Sequence, residues 1–216
     1  MVTDLMSEQL EKVREFIESF IVEELEIQSA RSRGSELGSD EPSQGTGAFL
    51  QMLARAIQVH SAVELGTGTG VGTLWLADGI KESGTLTSID AEAEHVHLAR
   101  QACDEMGISP QRVRLIHGAP YEILRKLTDS GYDMIVVREY SDESGDLIEQ
   151  AHRVLRSGGV CLLVHALHGD KVADLAQRDE VTVARRELLR NLRADRERWT
   201  CSLVGVGDGL FMAVKR

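Results

Sequence analysis

Apolar residues recur at helical spacing near the start of the chain, where Val13, Phe16, Ile17, Phe20 and Ile21 stand among Glu11, Glu15, Glu18 and Glu23. That period predicts an amphipathic helix whose stripe packs on its own domain or on a second subunit. Residues 29–47 turn to Gly, Ser and short polar side chains. Such a composition buries little apolar surface and predicts a loop, with a lid over a site as one use for it. Residues 1–46 are read as a helix and loop belonging to the same domain as the alternating fold of residues 47–216.

From Ala48 onward short apolar runs alternate with helical periods. Phe49, Leu50, Leu53, Ala56 and Ile57 mark a helix, and further helices are predicted over 74–80, 95–106, 123–127, 147–155 and 172–194. Between them, residues 62–65, 85–89, 113–116, 134–137 and 160–164 predict strands. Strands that read as continuous apolar runs are covered by helices on both faces, so the fold class is α/β with a doubly wound, mostly parallel sheet. Two last runs, 200–206 and 210–214, flank Gly207-Asp208-Gly209. Asp-Gly between apolar runs is a hairpin signal, and it makes these two strands antiparallel neighbours.

Composition narrows the picture. With 216 residues, 42% of them hydrophobic and 27% charged, one core and one domain are expected. No apolar run approaches the roughly 20 residues that span a bilayer, and the first thirty residues carry too much charge for a signal peptide, so a cytoplasmic location is expected. Cys103, Cys161 and Cys201 are odd in number, far apart and without metal-ligand spacing, as befits reduced thiols inside a cell. A formal charge of −11 speaks against a nucleic-acid partner, which needs a positive surface. A small substrate fits better.

The chemistry is concentrated in Glu64-Leu65-Gly66-Thr67-Gly68-Thr69-Gly70-Val71-Gly72, between the first strand and the next helix. Glycines there allow positive φ and close approach of a ligand to backbone, and the helix start supplies free N–H donors. The dinucleotide pattern Gly-x-Gly-x-x-Gly fails, because its last position falls on Val71 or on Thr73, which disfavours a nicotinamide-dependent oxidoreductase. Glu64 also sits badly against a pyrophosphate, whereas the phosphate-free, cationic S-adenosylmethionine tolerates a carboxylate. Asp90 ends the second strand, either as an acceptor for ribose hydroxyls or as an N-cap for a helix starting at Ala91. His117-Gly118-Ala119 ends the third strand in a small-residue turn, where backbone can meet an adenine edge.

These segments, with Leu74-Trp75-Leu76, Val113-Arg114-Leu115-Ile116-His117-Gly118, Arg156-Ser157-Gly158-Gly159-Val160 and Val206-Gly207-Asp208-Gly209-Leu210, together resemble the bacterial O-methyltransferases related to catechol and caffeoyl-CoA O-methyltransferases. The resemblance runs from about Gly45 to Arg216. It implies the class I, Rossmann-like methyltransferase fold, S-adenosylmethionine as cofactor and a homodimer. It places Glu64, Gly66, Thr67, Gly72, Asp90, Ala91 and Ala119 at cofactor-contacting positions, with Gly68, His117 and Gly118 beside them.

The chain departs from that family where metal is bound. The family's fourth strand runs into Asp-Ala-Asp and its fifth into Asp-Asn, supplying divalent-metal ligands; here the corresponding residues are Arg138-Glu139-Tyr140 and Val164-His165. A guanidinium among hard-cation ligands replaces attraction by repulsion, so no metal is expected there. Arg138 either grips a substrate anion or is paired with Glu139, Asp142 or Glu64. His165 is either a general base or a satisfied loop histidine, and Tyr140 is a third catalytic candidate. His165, His168 and Asp170 also carry a replacement-metal reading, although their spacing matches no closed site. The [Asp/Asn]-Pro-Pro-aromatic sequence of amino-methylating enzymes is absent after the fourth strand. The sequence therefore points to methyl transfer to a small-molecule hydroxyl, with a catalytically inactive S-adenosylmethionine-binding regulator as the alternative. It does not name the acceptor.

Overall fold

The computed structural model describes residues 2–138 and 144–216. Seven strands, β1 (Ser61–Leu65), β2 (Thr85–Asp90), β3 (Val113–His117), β4 (Tyr132–Val137), β5 (Leu155–Leu163), β6 (Trp199–Val204) and β7 (Leu210–Lys215), form one sheet in the order β3-β2-β1-β4-β5-β7-β6. The first five pair in parallel, and β7 runs antiparallel to both β5 and β6. The hairpin read from Gly207-Asp208-Gly209 is present.

Helices α1 (Val2–Glu18), α2 (Leu25–Leu37), α3 (Gln44–Ala56), α4 (Val71–Gly79), α5 (Ala93–Glu105), α6 (Pro120–Leu124), α7 (Ser144–Val154) and α8 (Glu180–Ala194) accompany the sheet. The alternation along β4 shows how both sheet faces are covered. Met134 and Val136 enter the cluster that holds Leu50, Leu74 and Trp75, while Ile135 and Val137 enter the cluster that holds Leu124, Leu147 and Leu188. Each such side chain removed from water contributes about 1.5–3 kcal/mol, which is why this strand carries no polar residue beyond Asp133.

Two expectations are corrected. Residues 29–47 are not one loop: α2 occupies Leu25–Leu37, α3 begins at Gln44, and only residues 38–43 connect them. The serines that suggested a loop instead bond back along the helix, Ser29, Ser32 and Ser35 donating to the carbonyls of Leu25, Gln28 and Arg31 at 2.9, 3.0 and 3.1 Å. Tertiary contacts then outweigh their weak helix propensity, since Ile27 and Ala30 are buried and Arg33 pairs with Glu105 of α5 at 3.0 Å. Second, the helix expected over 172–194 begins only at Glu180, where the Asp179 carboxylate caps Thr182 N–H at 3.0 Å. The preceding turns are held by Arg186, whose guanidinium donates to the carbonyls of Val172, Lys171 and Asp174.

The apolar stripe of α1 and of the turn that follows it does not pack on its own domain. Leu10, Phe16 and Phe20 are 62%, 65% and 68% exposed. The other side of the helix is tied down by Glu18, whose carboxylate accepts from Gly45 N–H and Gly207 N–H at 2.9 and 2.6 Å. Among the described residues, no helix is long and apolar enough to cross a membrane.

Strand order reverses direction between β1 and β4, the switch point at which open α/β sheets hold ligands beyond their carboxyl ends. Leu65 pairs with Ile89 and Val137, and Val137 with Leu163. The segments that begin at Gly66, Asp90, Arg138 and Val164 therefore emerge at one edge.

Candidate active site

The turn leaving β1 is built from Gly66, Gly68 and Gly70 at φ +90°, +54° and +99°, positive values that glycine adopts most readily. Thr67 and Ser88 hydroxyls meet at 2.7 Å, and Thr69 Oγ1 donates to the Ala30 carbonyl at 2.7 Å, so the loop is anchored to β2 and to α2. Gly72 has a different reason to lack a side chain: a Cβ there would stand 2.5 Å from Glu64 Oε1.

Asp90, wholly buried, is bound to the loop. Its Oδ2 accepts from Gly68 N–H at 2.8 Å, and its Oδ1 accepts from Glu92 N–H at 2.9 Å and faces His95 Nδ1 at 3.2 Å. The helix that follows starts at Ala93 with Glu92 as its N-cap residue, so the N-cap reading of Asp90 is replaced by a link between β2 and the glycine loop. Each carboxylate oxygen has two lone-pair sites, so with these three partners in place Oδ2 keeps room for one further hydroxyl donor. Alongside, His117 Nε2 lies 3.0 Å from the Ala91 carbonyl, Gly118 N–H donates to the Asp90 carbonyl at 2.9 Å, and Ala119 is the N-cap residue of α6.

Glu64 is a buried carboxyl that pairs with no basic side chain among the described residues. Thr73 and Ser88 hydroxyls donate to its Oε2 at 2.5 and 2.6 Å. Burial raises its pKa to about 7, against the opposing pull of those two hydroxyls and the more distant Arg138 charge. A group that hovers between neutral and anionic near pH 7 favours a cationic neighbour.

Arg138, leaving β4, lies across the glycine loop. Its Nε donates to the Gly66 carbonyl at 2.9 Å, and one terminal nitrogen donates to the Asp40 carbonyl at 3.0 Å and to Glu41 Oε2 at 2.7 Å. The partner is thus Glu41 in the α2–α3 connection, not Glu64; Glu139, Asp142 and the candidate Tyr140 lie outside the described residues. No periodicity or motif marked Glu41, because it joins the site only through the path of α2, which the sequence reading took for loop. Nor did any motif mark His95, which faces Asp90 from the first turn of α5.

His165 stands at φ +55° after β5, its carbonyl accepting from Arg185 at 2.7 Å. Its Nδ1 is 3.7 Å from the Asp40 carboxylate, and its Nε2 is buried with no hydrogen-bond partner among the described residues. Burial lowers its pKa, against the Asp40 charge, and so favours the neutral ring. It lines a cleft of about 300 Å³ with Arg14, Glu18, Asp40, Glu41, Ser43 and Asp208. His168 and Asp170 are not gathered with it: Asp170 pairs with Arg14 at 3.5 Å, and among the described residues no three His, Cys, Asp or Glu side chains are placed to hold an ion.

The chain is 41% identical over 198 residues to a Mycobacterium ulcerans protein provisionally named as an O-methyltransferase, spanning 92% of this chain and 88% of that relative. A Corynebacterium glutamicum crystal structure superposes with a TM-score of 0.87 at 28% identity, covering 96% of this chain and 97% of its own. The Streptomyces achromogenes O-methyltransferase TomG, solved in complex with SAM, superposes with a TM-score of 0.82 at 24% identity, over 94% and 96% of the two chains. A family model described as O-methyltransferase matches residues 11–216; the chain belongs to the O-methyltransferase family.

Proposed function

We propose that this protein transfers a methyl group from S-adenosylmethionine to a hydroxyl of a small molecule, using a histidine where its family uses a divalent metal. The observation that carries the reading is the pairing at the ends of β4 and β5, a guanidinium at Arg138 and an unpartnered imidazole nitrogen at His165. A hard divalent ion needs oxygen ligands, and the residues present do not fit it. The cofactor fits by its chemistry: the glycine turn presents backbone without side chains, Asp90 Oδ2 retains room for one ribose hydroxyl, and Glu64 suits a cationic ligand.

When bound, S-adenosylmethionine supplies an electrophilic methyl on a sulfonium. The chain's part is alignment and proton removal. Asp40 favours the Nδ1–H tautomer of His165, which leaves the Nε2 lone pair to accept the hydroxyl proton. Methyl transfer from labelled S-adenosylmethionine to phenols is expected to proceed in EDTA.

The exposed stripe of α1 and the turn after it, with Phe16 and Phe20 rings edge to face at 5.7 Å, is the face we assign to a second copy of the chain. Light scattering is expected to give about twice 23.8 kDa at micromolar concentration, and Phe16→Asp with Phe20→Asp to halve it. A wild-type mass near 23.8 kDa would remove the dimer. The free thiols Cys103, Cys161 and Cys201 support a reducing, cytoplasmic setting.

A further inference from the structure

The open face of the glycine turn is filled by the chain itself. Arg138 and Glu41 form an ion pair at 2.7 Å with side chains only 6% and 3% exposed, and they lie on the open face of Gly68. A Cβ built there would overlap the Arg138 guanidinium and Glu41 Oε1, so any ligand atom resting on that face meets the same atoms. The pair also consumes the loop's own polar groups. Arg138 takes the Gly66 carbonyl, and Glu41 Oε1 accepts from Thr69 N–H at 2.8 Å and Thr69 Oγ1 at 3.0 Å.

We propose that Glu41 and Arg138 form an internal latch: the guanidinium occupies the place of the cationic cofactor and must leave Gly68 before S-adenosylmethionine can settle. This rests on the cofactor reading above. The charge pattern explains why an arginine suits the role. Arg138 is the positive charge felt by the buried Glu64 carboxyl, and a sulfonium arriving as the guanidinium departs preserves that balance, whereas both together would repel. An alternative seat exists for the released side chain, because the adjoining cleft is rimmed by Asp40, 84% exposed at its side chain, and by Asp208. Glu41 lines the same cleft, so opening the latch joins the cofactor groove to the space beside His165.

A latch taxes affinity by the fraction of molecules that are open. Removing charge-assisted hydrogen bonds from the closed state shifts that fraction by roughly tenfold or more. The test is calorimetric titration of S-adenosylmethionine and S-adenosylhomocysteine into wild type, Arg138→Met and the double variant Glu41→Gln/Arg138→Met, which leaves neither charge buried alone and guards against loss of fold. Both variants are expected to bind S-adenosylmethionine about tenfold tighter or better, with a smaller gain for the uncharged thioether. Weaker binding in Arg138→Met would overturn the latch by making Arg138 a ligand of the cofactor. Unchanged affinities with a lowered melting temperature would also overturn it, reducing the pair to a structural bridge. If folded wild type and both variants bound neither compound, the cofactor reading itself would fall, and the latch with it.

Discussion

Replacing His165 by Asn lowers the methyl-transfer rate constant by about 10²–10⁴-fold, the range lost with a general base, and leaves the affinity for S-adenosylmethionine in place. Asn is the informative substitution because residue 165 sits at φ +55°, a region Asn enters more readily than Ala, so the backbone that anchors Arg185 is kept. The wild-type rate should hold constant from neutral pH downward and fall only below the ordinary histidine range, since burial depresses the ring's pKa. That acid limb should vanish in the variant. If His165→Asn turned over at the wild-type rate with the same pH profile, the histidine would be a packing residue and proton removal would lie elsewhere.

The second large effect is on stability. Glu64 has its pKa raised from 4.5 to about 7 by burial, so the folded state holds this proton more tightly than the unfolded chain. The stabilisation from the protonated carboxyl is complete below pH 4.5 and is lost as pH rises through 7. At 1.36 kcal/mol per unit, the shift corresponds to roughly 3 kcal/mol. Denaturant unfolding of wild type and Glu64→Gln without cofactor, from pH 4 to 8.5, is expected to show the variant gaining on wild type by about that amount across the window. Parallel pH profiles would mean that Glu64 titrates as an ordinary carboxylate.

The sheet was legible because burial on both faces forces unbroken apolar runs such as Met134–Val137, and because Asp208-Gly209 leaves few turn types open. The glycine turn was legible for a related reason, since it answers to backbone constraints that a short motif records, whereas the bond that ties Asp90 to Gly68 N–H was not read from the sequence. What escaped the sequence depended on side chains meeting across long separations. A Ser- and Gly-rich segment reads as loop until Ile27, Ala30 and Arg33 are seen anchoring it to the domain. Only then does residue 41 come within 2.7 Å of residue 138. The pairing of Arg138 was foreseen and its partner was not, since local spacing favoured acids next to it in the chain. Turn structure after β5 was hidden likewise, because Arg186 supplies from α8 the hydrogen bonds that hold it.

The most direct measurement is transfer of labelled methyl from S-adenosylmethionine to a panel of phenols and catechols, run with EDTA and then with added magnesium. A guanidinium at Arg138 and an imidazole at His165 predict label in a phenol ether at the same rate in both conditions. Activity abolished by EDTA and restored by magnesium would contradict the account.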